Sequence, residues 1–70
     1  MDDDRWVRDA VEQARPVWEG GHDHQEFGRY VNGRPWSPIQ AIAVIREVQQ
    51  CTLREAIDRY QAYQDRMGRG

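Results

Sequence analysis

Apolar residues recur at helical spacing in three long stretches of this chain and one short one. In residues 4–18, Trp6, Val7, Ala10, Val11, Ala14, Val17 and Trp18 share one arc, with Arg5, Arg8, Asp9, Glu12 and Arg15 opposite. That pattern predicts an amphipathic helix. Asp2, Asp3 and Asp4 suit its start, where carboxylates cap free N–H groups and face the positive end of the macrodipole. Pro16 removes a backbone donor and crowds the preceding turn, so the regular helix is expected to end or kink near Arg15. Gly20-Gly21 then breaks the chain.

The short stretch is Phe27, Tyr30 and Val31, preceded by Asp23-His24-Gln25-Glu26, which reads as a capping box, and followed by Asn32-Gly33, which reads as a left-handed stop. A short helix over 24–32 is expected. The competing reading makes Asn32-Gly33 a hairpin turn, but its second strand would contain Pro35 and Pro38, which remove ladder donors.

Two further capping boxes, Ser37-Pro38-Ile39-Gln40 and Thr52-Leu53-Arg54-Glu55, fix the starts of two helices over 38–50 and 53–67. The first has Ile39, Ala41, Ile42, Val44, Ile45 and Val48 over most of its circumference, which predicts a helix in the middle of a bundle. The second is one-sided, with Leu53, Ala56, Ile57, Tyr60, Tyr63 and Met67 on one face and charged residues on the other. Gly68-Arg69-Gly70 ends it. On that charged face Arg54 with Asp58 and Glu55 with Arg59 are opposite charges four apart, worth a few tenths of a kcal/mol each. The fold expected is all-α, a small bundle of three main helices plus a short one, in a single domain over 1–70.

At 70 residues such a chain buries only about 60% of its extended surface, so each large apolar side chain has to count. The single cysteine, Cys51, excludes an internal disulfide framework and a multi-cysteine zinc site, and points to a reduced, cytoplasmic setting. The longest apolar stretch, Ile39 to Ile45, is too short to span a bilayer and contains Gln40, and the start lacks a signal peptide's basic region. All ten basic residues are arginine. The net charge of −2 is uneven: residues 1–26 carry eight acids and three arginines, residues 27–70 four acids and seven arginines. A net-acidic chain is poorly suited to sequence-independent phosphate binding.

The run Ile45-Arg46-Glu47-Val48, a short turn, then Leu53-Arg54-Glu55-Ala56-Ile57-Asp58 resembles the helical hairpin in the C-terminal domain of the bacterial ribosomal stalk protein. The resemblance covers residues 39–58. In that family the first helix recruits translation factors through an apolar and basic surface, and the positions matching it are Ile39, Ile42 and Arg46. Pro38, Ala43 and Ile57 stand where the family has lysines, and Gln50 and Thr52 replace its turn glycines. Related hairpins occur in ubiquitin-associated domains and at the N-terminus of elongation factor Ts, so the unit implies packing more than activity.

Candidate chemistry is sparse. His22, Asp23, His24 and Glu26 are donors of the kind that bind zinc or nickel, but Asp23 and Glu26 are also cap residues, and no metal or other cofactor is expected. A histidine acting as acid or base needs a partner and a pocket, and a bundle this small rarely encloses one, so catalysis is not expected. Cys51, just before an N-cap, reads as a small apolar filler of the turn. The expected function is a non-catalytic protein-binding module, an adaptor, inhibitor or regulator. Its partner surface combines Trp36 with Ile39, Ile42 and Arg46. Trp36 is read first as packing over the bundle and second as an interface anchor. Tyr60 and Tyr63 raise a homodimer as a further form of partner. The alternative is a helix-turn-helix in which Arg54, Asp58, Gln61 and Asp65 would face nucleic acid, where two carboxylates repel phosphates.

Overall fold

The apolar pattern resolves into four helices, α1 (Asp4–Glu19), α2 (His24–Asn32), α3 (Pro38–Gln49) and α4 (Leu53–Gly68). The computed structural model describes residues 4–68, with side chains over 5–65, and among them there is no strand. Asp2, Asp3 and the Arg69-Gly70 end, assigned above to helix termini, lie outside the described residues, as does the side chain of Met67.

α1 runs through Pro16 to Glu19 rather than ending near Arg15. The bond lost is the one to the Glu12 carbonyl, and Glu12 and Pro16 are both exposed, so water can satisfy that oxygen. The carbonyl of Pro16 itself takes the Gly20 N–H at 3.0 Å. Val17 and Trp18 pack against the core beyond the proline, and their burial offsets the roughly 3 kcal/mol that an internal proline costs. The chain then reverses at Gly20-Gly21, as expected, but the left-handed residue is His22, with φ 51°. Its N–H closes on the Trp18 carbonyl at 2.6 Å.

Asp23 caps α2 by accepting the Gln25 N–H at 2.9 Å, one residue earlier than the predicted box would have it. α2 also ends without a left-handed glycine: Gly33 has φ −84° and donates to the carbonyls of Arg29 and Tyr30, both at 3.1 Å. The two later boxes form in full. Ser37 Oγ accepts from Gln40 N at 3.3 Å while Gln40 Oε1 accepts from Ser37 N at 2.9 Å. Thr52 and Glu55 exchange the same pair of bonds, both at 3.1 Å. Each cap contributes about 1 kcal/mol. Between these helices Gln50 is left-handed, φ 51° and ψ 51°, and the N–H groups of Gln50 and Cys51 both reach the Arg46 carbonyl, a Schellman-type closure without glycine.

The helices form a ring. α1 packs on α2 and α3, and α4 packs on the same two. The core draws on all four: Ala10, Val11 and Ala14 from α1, Phe27 and Val31 from α2, Ala41, Val44, Ile45 and Val48 from α3, Ala56 and Tyr63 from α4. Phe27, Val44 and Ile45 are the largest side chains fully shielded from water. α3 is thus a ring member flanked on two sides rather than the middle of the bundle, and Ile39 is left 80% exposed. The short α2 is a full ring member because it carries Phe27. Among the described residues no helix is long and apolar enough to cross a membrane.

Two substitutions probe these backbones. Pro16→Ala restores the bond to Glu12 in an exposed turn and is expected to raise stability by about 1–2 kcal/mol, the helix gain less the proline's rigidity in the unfolded chain; chemical denaturation measures it. Gly28→Ala should do the opposite despite alanine's helix preference, because its Cβ would stand 2.9 Å from Tyr63 Cδ1 and 3.0 Å from Cγ. Overpacking against a buried ring costs about 1–3 kcal/mol, so the same experiment should find a net loss.

Candidate functional site

Of the residues predicted to meet a partner, Ile39, Ile42 and Arg46 lie on α3 and Trp36 precedes it. Ile39 and Arg46, seven residues apart and two turns along the helix, form its outward stripe, and both are exposed. Ile42 is half-buried and lies on the edge of that stripe nearer α4, in line with Gln49, which bonds to α4. Trp36 lies just before the Ser37 cap of α3. It is half-buried and packs on the core, with its ring 6.2 Å from Tyr30 at 75°, edge to face. Arg34 lies over the other aromatic contact of this corner, its guanidinium carbon 5.1 Å from the Tyr30 ring centre.

Two grooves border α1. One, of about 470 Å³, is lined by Val7, Val11, Arg15, Pro16, Glu19 and Glu47 among others. The second, of about 400 Å³, lies between Trp6, Asp9 and Gln13 on one side and Arg34, Trp36 and Gln40 on the other. The capping box shapes its far wall, since the Gln40 side chain is bent back onto Ser37.

Sequence reasoning missed a polar chain that ties α2, α3 and α4 together. Arg59 Nη1 donates to Gln49 Oε1 at 2.6 Å, and Gln49 Nε2 donates to the Tyr63 hydroxyl at 2.9 Å. Arginine only donates, which fixes the Gln49 amide with its oxygen toward Arg59 and its nitrogen toward Tyr63. His24 Nδ1 lies 2.9 Å from the same hydroxyl. Tyr63 is 4% exposed. A signal existed in the seven-residue interval from Ala56 to Tyr63 on the buried face of α4, which places a phenol where its oxygen needs partners. The partners lie 14 and 39 residues away, and no local pattern names them.

The His22, Asp23, His24 and Glu26 set is dispersed. Trp18 takes both imidazoles, with ring centres 5.1 Å from His22 and 4.9 Å from His24, and Asp23 caps α2. Among the described residues no three His, Cys, Asp or Glu side chains are gathered as for a metal ion. Cys51 is a half-buried free thiol packed on the core. On α4, Arg54, Asp58, Gln61 and Asp65 are all exposed and share one face with both carboxylates outward. Glu55 and Arg59, expected to pair, take Thr52 and Gln49 as partners. Of the two tyrosines raised for a dimer, Tyr63 is buried within the bundle and Tyr60 packs half-buried on the core.

Comparison with family models, with curated proteins and with solved structures finds no match.

Replacing Tyr63 by Phe keeps the ring and removes the hydroxyl between Gln49 and His24. A loss of about 1–2 kcal/mol is expected from the unsatisfied amide, read by urea denaturation with the helical circular dichroism of the folded protein unchanged.

Proposed function

We propose that this chain is a non-catalytic protein-interaction module, an adaptor, inhibitor or regulator, that meets its partner through Ile39, Ile42 and Arg46 on α3 with Trp36 at the start of that helix. One observation carries the reading: Ile39 is 80% exposed, whereas the other large apolar residues of α3 are buried or half-buried. Burying an isoleucine contributes about 1.5–3 kcal/mol, and here that contribution is left for a second molecule. Arg46 two turns away adds a cation of the kind enriched at interaction hot spots. The resemblance of residues 39–58 to a factor-recruiting hairpin supports the same stripe. A reduced, cytoplasmic setting fits the lone, half-buried Cys51. A nucleic-acid partner is disfavoured by Asp58 and Asp65 on the exposed face of α4, which would repel phosphates.

Affinity capture from the native host, with Ile39→Glu, Arg46→Glu and Trp36→Ala compared against the wild-type chain, tests this. Each glutamate variant should retain full helicity, since both positions are exposed, and lose at least about tenfold in captured partner, as expected for a hot-spot residue. Unchanged capture by all three variants would remove this surface from consideration.

A further inference from the structure

We draw no further inference here: the strongest candidate, the groove between α1 and the segment before α3 that Trp6 and Trp36 line with Asp9 and Arg34, carries nothing because nothing in the structure shows what covers it.

Discussion

The architecture depends on one side chain, Tyr63. Its ring sits in the core edge to face with Phe27, 6.3 Å between centres at 67°, and lies so close to Gly28 that only glycine fits opposite it. Its hydroxyl is shared by Gln49 from α3 and His24 from α2. A single phenol thereby joins the helix that ends the chain to two helices that do not pack on each other extensively. The apolar ring supplies burial and the oxygen supplies direction, which fixes how α2 and α3 are placed around α4. Among the described residues no buried side-chain polar atom lacks a hydrogen-bond partner, so the core takes in this hydroxyl without an unmet polar group.

Much of the fold was legible in the sequence because its signals are local. A capping box spans four residues and needs no tertiary information, and the Ser37 and Thr52 boxes form as the residue types require. Apolar periodicity likewise located each helix to within a residue or two. Failures came where a distant contact overrode a local preference. Pro16 reads as a stop, but Val17 and Trp18 have a core to bury against, so α1 continues. α3 reads as central because apolar residues surround it, yet a four-membered ring offers each helix two neighbours, and Ile39 is left outside.

Candidate sites were less legible because a site is a juxtaposition. Trp36 and Ile39 are three residues apart, yet Trp36 packs on the core and Ile39 is left 80% exposed. Trp6 and Trp36 are thirty residues apart in sequence and line one cleft. The left-handed turns show the same limit. Asn32-Gly33 was the expected left-handed stop, yet Gly33 has φ −84° while His22 and Gln50 adopt positive φ. At His22 the gain is contact with Trp18; at Gln50 it is the closure of two N–H groups on Arg46. Each offsets part of the cost of about 1–2 kcal/mol that a left-handed non-glycine residue carries.

The ring order of the helices has a consequence for how the chain folds. α3 and α4 are adjacent in sequence, capped at both starts and joined by three residues, so they can pair with little loop entropy to lose. α2 is nine residues long, below the length at which an isolated helix holds in water, and its buried face meets a tyrosine more than thirty residues later. Its packing on α1 and α4 is therefore what holds it. α1 packs on α2 and also on α3, so the N-terminal half completes its core only against the hairpin. The hairpin is therefore the part of the ring built from the most local contacts, and α1 and α2 join it through partners distant in sequence.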